Sequence, residues 1–229
     1  MSGPVAAGLT VAELAVAKHQ RELIFKPLEA HVFGAPMTAD PVEFITTGTG
    51  AELAELPTGW FDLGLMLKGD GITWGRDQEQ AGIEAIGYRD PVRFDIISDN
   101  FSMQFTALET NRRTIEMALQ QDLSDVTAVA ETGEVAFDQK VEKAPTMRLL
   151  TVARDGSGAN TIFVARQFYA AEVSETGEQV LSDGDNGPLG WQITSTGIVD
   201  TTVGVAVRHY FGGPGWKAKL AGIGWTVTP

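Results

Sequence analysis

At 229 residues the chain can bury one generous hydrophobic core or two modest ones, and 43% hydrophobic with 21% charged residues fits a folded globular protein, which disfavours wholesale disorder and a membrane-spanning class. Cysteine is absent, which removes disulfides, thiolate metal sites and cysteine nucleophiles, and three histidines (His19, His31, His209) are thin material for a metal enzyme. The formal charge of -13 is uneven: no Lys or Arg lies between Lys26 and Lys68 or between Arg166 and Arg208, and such acidic stretches repel phosphate.

Thr10-Val11-Ala12-Glu13 has the spacing of a capping box and predicts a short helix from about Val11 to about Gln20, with Lys18 and His19 near its negative end. Met1 to Gly8 lacks the basic and apolar regions of a signal peptide, and no run approaches the roughly 20 apolar residues of a membrane helix. The expectation is a protein made and kept in a cytosol. Glu22 to Phe33 reads as strand interrupted by Pro27, and Gly34 to Gly59 as a long, partly extended loop or arm. Trp60 to Leu67 reads as a strand, Lys68-Gly69-Asp70-Gly71 as a turn, and Ile72 to Arg76 as a short strand before the polar run Asp77 to Gln80.

After Asp90-Pro91 the alternation is clean. Val92, Phe94 and Ile96 share one face; beyond a turn read at Ser98-Asp99-Asn100, so do Phe101, Met103, Phe105 and Ala107, with Ser102, Gln104 and Thr106 opposite. That period is the mark of half-buried antiparallel strands. A helix is expected from about Asn111 to about Leu123, capped by Thr110 or Asn111. Further strands are expected at Glu134 to Lys143, Met147 to Ala153, Thr161 to Val173, Trp191 to Ile198 and Val203 to Phe211, separated by glycine-rich turns. The fold class is therefore mainly β with one or two helices: two packed antiparallel sheets, sandwich or barrel, with a flanking helix and long loops or arms. Residues 1-59 form an N-terminal helix and arm region, and 60-229 the β domain, within what reads as one structural unit.

Motifs for chemistry are sparse. There is no phosphate loop, zinc-protease helix or esterase elbow. Asp183-Gly184-Asp185-Asn186-Gly187 lacks the alternate ligands and distal glutamate of a calcium loop and reads better as a turn. Nothing in the sequence brings two carboxylates to a fixed separation for glycoside hydrolysis. The five tryptophans read better as core or interface packing than as a sugar platform, and His209 as a packed imidazole.

Three stretches in order resemble the major tail proteins of siphophages, most closely those of phages infecting actinobacteria. They are Gly59-Trp60-Phe61-Asp62-Leu63-Gly64 followed by Asp70-Gly71-Ile72-Thr73-Trp74; Asp90-Pro91-Val92-Arg93 leading into Phe105-Thr106-Ala107-Leu108-Glu109-Thr110-Asn111; and Asp200 followed by Arg208-His209-Tyr210-Phe211-Gly212-Gly213-Pro214-Gly215-Trp216. The resemblance implies a tail-tube fold, hexameric rings stacked into a hollow tube, no enzymatic activity and no cofactor. Trp60, Gly64, Trp74, Pro91, Arg93, Glu109, Asn111, Gly212, Gly213, Pro214 and Trp216 are its structural motif positions in this chain. The polar faces around Ser102, Gln104 and Thr106 are placed toward the lumen or solvent. The contact between rings is expected in the loop from Lys68 to Asp90, carrying Asp70, Arg76, Glu79 and Glu84, or in the acidic segment from Asp40 to Pro57. The implied partners are sister copies, a tape-measure protein, tail assembly chaperones, and terminator and tip proteins, with DNA only as passing cargo and no membrane. The implied location is the virion tail, assembled in the host bacterial cytoplasm. Rival readings are a secretion-tube ring protein, a capsid decoration protein, or a carbohydrate-binding β-sandwich or glycosidase.

Overall fold

The computed structural model describes residues 23-140, 145-181 and 187-227. The helix expected at Val11 to Gln20 lies outside these residues, as do the last residues of the strand expected at Glu134 to Lys143 and most of the Asp183 to Gly187 run. Along the described chain come β1 (Glu29–Pro36), β2 (Thr46–Thr47), β3 (Glu52–Leu53), β4 (Phe61–Asp62), β5 (Thr73–Ile83) and β6 (Arg93–Ala107). Helix α1 (Arg112–Leu119) follows, then β7 (Met147–Asp155), β8 (Ile162–Thr176), β9 (Trp191–Ile198), β10 (Val207–Gly212) and helix α2 (Pro214–Lys219). The protein is mainly β.

One eight-stranded antiparallel sheet runs β4-β1-β7-β8-β9-β6-β5, with β10 also on β8, and β2-β3 form a separate small ribbon. The 15-residue β8 is the pivot. Its first half pairs with β10 from Phe163 to Phe168, and its second half pairs with β9 from Ala170 to Thr176, along the same edge. The sheet therefore has two limbs, β1-β7-β8-β10 and β8-β9-β6-β5. They fold toward one another, because Val32 of β1 and Leu149 of β7 share a buried cluster with Met103 and Phe105 of β6 and Ile193 of β9. The segment after β4 ties the free ends together. Leu63 N–H donates to the Val32 carbonyl (3.0 Å), Leu67 N–H to that of Thr106 (2.8 Å), and Leu108 N–H to that of Leu65 (2.8 Å). Trp60 to Leu67, expected as one strand, is instead a two-residue strand plus this strap.

Helix α1 closes one side of the core with Met117 and Ala118. Asn111 caps it, accepting the Thr114 N–H at 3.0 Å. It ends four residues before the expected Leu123, because Gln120 adopts a left-handed conformation (φ 56) and its N–H returns to the Glu116 and Met117 carbonyls. Leu123 is buried all the same.

Gly34 to Gly59, expected as a loose arm, is firmly pinned. Val42 and Ile45 join Leu150, Phe163, Ala165 and Tyr210 in a second buried cluster on the outer side of β7 and β8. Gln167 is wholly buried; its Oε1 accepts the Val42 N–H at 2.9 Å, and Tyr210 Oη donates to the Val42 carbonyl at 2.6 Å. Burial raises the Tyr210 hydroxyl pKa well above its ordinary value. Arg148, also buried, donates from Nε to the Ala39 carbonyl (2.9 Å) and pairs with Asp200 at 2.9 Å. β1 itself pairs with both β4 and β7, so part of the region set apart as residues 1-59 belongs to the main sheet. The described part of the Glu134 to Lys143 stretch is exposed or half-buried chain without strand pairing.

Candidate assembly surface

Two surfaces follow from the β6 alternation. The register places Ser102 opposite Gly75 and Thr196, Gln104 opposite Thr73 and Thr194, and Thr106 opposite Gln192; Glu172 and Glu175 of β8 continue the row. These residues share one face of the β8-β9-β6-β5 limb, because successive residues of a strand point to opposite sides. Small hydroxyls and amides dominate it, acids flank it, and none of these positions holds Lys or Arg. The other face, with Trp74, Met103, Phe105, Ala107 and Ile193, is the core. Of the three residues expected to face lumen or solvent, Gln104 is exposed and Ser102 half-buried, whereas Thr106 is covered: the Lys68 to Ile72 turn bends over it and Asp70 Oδ2 accepts its hydroxyl at 3.3 Å.

The second surface is an arm. β6 meets β9 only from Phe101 onward, so Arg93 to Asn100 pair with β5 alone and the two strands leave the body as a ribbon. Two expectations fail here. β5 extends to Ile83 and takes in the polar run Asp77 to Gln80, and Ser98-Asp99-Asn100 is strand rather than turn. Across the ribbon, Arg76 donates to both Asp99 carboxylate oxygens, from Nε at 2.7 Å and Nη2 at 2.6 Å, and this pairing holds the turn-prone residues extended. The same guanidinium keeps the Asp99 carboxyl below its ordinary pKa. A register shift at Glu79/Gln80 leaves Ile97 as an unpaired extra residue, a β-bulge.

The ribbon is amphipathic. One face continues the polar surface through Asp77, Asn100, Glu79, Ser98 and Asp95, and at its far end Arg93 is held by Asp95 at 2.6 Å. The other continues the core face past the Arg76–Asp99 pair, Gln78 and Gln80 to Phe94 and Ile96, and no described strand covers it there. Phe94 is 62% exposed and Ile96 60% exposed, the bulged Ile97 protrudes, and at the tip Ile86 and Tyr88 lie open. Val92, Phe94 and Ile96 were expected to be half-buried like Phe101 to Ala107; they are not, because the ribbon has run past the strands that would cover them. Their alternation was legible, but the ending of the opposite limb was not. The acids flanking them, Asp90, Asp95 and Asp99, were the local sign of an exposed apolar row.

The remaining motif positions are scattered. Trp60 donates its indole N–H to the Asp40 carbonyl at 2.9 Å. Gly64 (φ 86) has the Glu109 carboxylate where a side chain would stand, and Glu109 Oε1 accepts the Leu65 N–H at 3.0 Å, so these two positions form one joint. Pro91 packs on Gly82 in the arm. Gly212 abuts Thr46, Gly213 (φ 99) makes the turn into α2 against the Thr161 carbonyl, Pro214 opens that helix, and Trp216 stacks on Phe211 at 5.2 Å. Arg76, Glu79 and Glu84 lie on the arm, whereas Asp70 sits at its base. The other inter-ring candidate, Asp40 to Pro57, is largely tied to the second cluster. Trp74 has one face under the Arg166 guanidinium at 4.0 Å, and the Trp191 indole N–H donates to Thr110 Oγ1 at 3.1 Å. Among the described residues no cluster of three or more His, Asp or Glu is placed to hold a metal ion, and no helix is long and apolar enough to cross a membrane. Comparison with protein-family models yields no match to this chain, and comparison with curated proteins yields none either.

Proposed function

We propose that this chain is the repeating subunit of a phage tail tube, in which the two limbs act as the packed sheets of the tail-tube fold and copies join into stacked hexameric rings around a channel for DNA. The observation that carries the reading is the arm: a ribbon with Phe94 and Ile96 open to water on one face and with the other face polar and continuous with the body. Monomeric proteins seldom leave such a surface uncovered. Strand edges unpaired among the described residues, on β5, on the outer half of β6 and on β10, supply backbone groups that a neighbour's strand completes. Because the arm and the body that receives it are unlike surfaces, the association is head-to-tail and closes into rings or propagates as a column.

In that assembly the polar face lines the channel. A wall of Ser, Thr and Gln with Glu172, Glu175, Asp77 and Glu79, and with Arg93 paired to Asp95 at its far end, gives the phosphate backbone little to bind, so DNA slides. The partners proposed with it are a tape-measure protein, assembly chaperones, and terminator and tip proteins. Purified protein concentrated stepwise and followed by size exclusion with light scattering and by negative-stain electron microscopy is the test. Rings or tubes are expected, and a single monomeric species at every concentration overturns the reading.

A further inference from the structure

Between the two limbs lies a cavity of about 510 Å³, with Leu28, Ala30 and Ala153 on the side of β1 and β7 and Ile72 and Trp74 on the side of β5. Its lining is mostly apolar, but cations stand at its rim. Lys68 borders it, and the half-buried Arg166 guanidinium lies over the Trp74 ring at 4.0 Å. Among the described residues no carboxylate pairs with either cation: Glu29, the one acid in the lining, is bonded to Arg154 at 2.6 Å. Taking a guanidinium partly out of water without a counter-charge is unfavourable. The cleft is therefore suited to a group that brings a carboxylate beside an apolar side chain.

The tip of the arm has that chemistry. It is a turn closed by the Tyr88 N–H on the Ala85 carbonyl at 3.2 Å, with Gly87 (φ 88) in the left-handed position, and it leaves Ile86 fully exposed. Glu84 and Asp90 flank the turn, with Arg89 the one cation beside them. We infer that this tip docks in the cavity of a sister copy, Ile86 entering among Leu28, Ile72 and Trp74 and the flanking carboxylates meeting Lys68 and Arg166. Its own cavity is out of reach. Trp74, which lines the cavity, stands at the root of β5, and Ile83 ends the same strand nine residues on, about 30 Å away at roughly 3.3 Å per residue. A ribbon paired along this length cannot bring its tip back to its root, so the occupant is another chain, and copies joined this way are displaced by about 30 Å. The docking rests on the assembly proposed above and adds to it the surface that receives the arm.

The cysteine-free chain allows a clean test, because Leu28 and Ile86 are both exposed in the single subunit. Leu28→Cys combined with Ile86→Cys, in a mixture of isotopically light and heavy chains concentrated until they assemble and treated with a short bis-maleimide, is expected to give crosslinks between chains that join the two sites, read by peptide mass spectrometry. Rings or tubes without that crosslink, or with it only inside single chains, overturn the docking and leave the assembly reading standing. A protein that stays monomeric at every concentration overturns both. Ile86→Asp gives a second measurement. Circular dichroism and the urea midpoint of the subunit are expected to match the parent, while the critical concentration for assembly rises about tenfold or more, the effect of losing one buried Ile side chain from a joint. An unchanged critical concentration overturns the docking.

Discussion

Replacing Phe94 and Ile96 together by threonine separates the joint between copies from the fold of each copy. Full burial of a Phe or Ile side chain stabilises by about 1.5-3 kcal/mol. With 62% and 60% of these residues still open in the single chain, a neighbour's coverage has about 1-2 kcal/mol to contribute at each, or about 2-4 kcal/mol per joint for the pair. At a factor of ten per 1.4 kcal/mol, the double substitution weakens each joint roughly thirtyfold to several-hundredfold. Threonine keeps the strand preference of the ribbon, and both sites lie outside the core, so the folding stability of the single subunit changes by no more than about 0.5 kcal/mol. The assay is the critical concentration for assembly, read by sedimentation and micrographs, alongside urea unfolding of the unassembled chain. An unchanged critical concentration with an unchanged fold refutes the assignment of this face to a joint.

Other outcomes follow from the body of the molecule. Arg148→Met leaves the buried Asp200 carboxylate with the Thr202 N–H but without its cation, and removes the donors to the Ala39 and Tyr169 carbonyls; a cost of about 1-3 kcal/mol is expected by urea unfolding, and no measurable loss would show the pair to be dispensable. The Asp200 carboxyl is held below its ordinary value of 3.8 chiefly by the Thr202 N–H, with Arg148 assisting, so the folded state binds that proton later than the unfolded one. Its stabilisation is complete above that value and is lost as pH falls through the lower folded-state value. Asp200→Asn is thus expected to flatten the acid limb of a stability-against-pH series below about pH 4, and an unaltered acid limb rejects this. Gly64→Ala forces a side chain into a left-handed conformation against Glu109, and a loss of about 1-2 kcal/mol is expected in thermal melts. Ser102→Lys with Thr196→Lys places cations on the polar face; assembled variant tubes should retain DNA in a salt-dependent manner where the parent does not, and equal retention by both would remove that face from the channel wall.

The local part of the fold was legible from residue order. Phe101 to Ala107 alternate with Ser102 to Thr106 because both sides of that strand meet different media, Asn111 announces a helix start through its own side chain, and Trp191 to Ile198 is a strand with the expected ends. The polar surface of the β9-β6 limb was visible in the same alternation. Partner-dependent features were not. Ser98-Asp99-Asn100 carries turn chemistry, and pairing with Asp77 to Glu79 of β5, with Arg76 on Asp99, 23 positions away, makes it strand. Gly34 to Gly59 has the composition of a loop, and partners more than 100 positions away, among them Arg148, Gln167 and Tyr210, bury its Ala39 to Ile45 part.

What residue order determined by itself is a mainly β chain with an alternating polar and apolar β6 and a capped helix, since propensity, period and capping act within a few residues. Tertiary structure alone decided that β8 would turn from one limb to the other, that the strap from Phe61 to Leu67 would tie them, and that the apolar row Phe94-Ile96 would run beyond its cover. Burial is a property of what lies opposite in space, and no window along the chain contains the opposite strand.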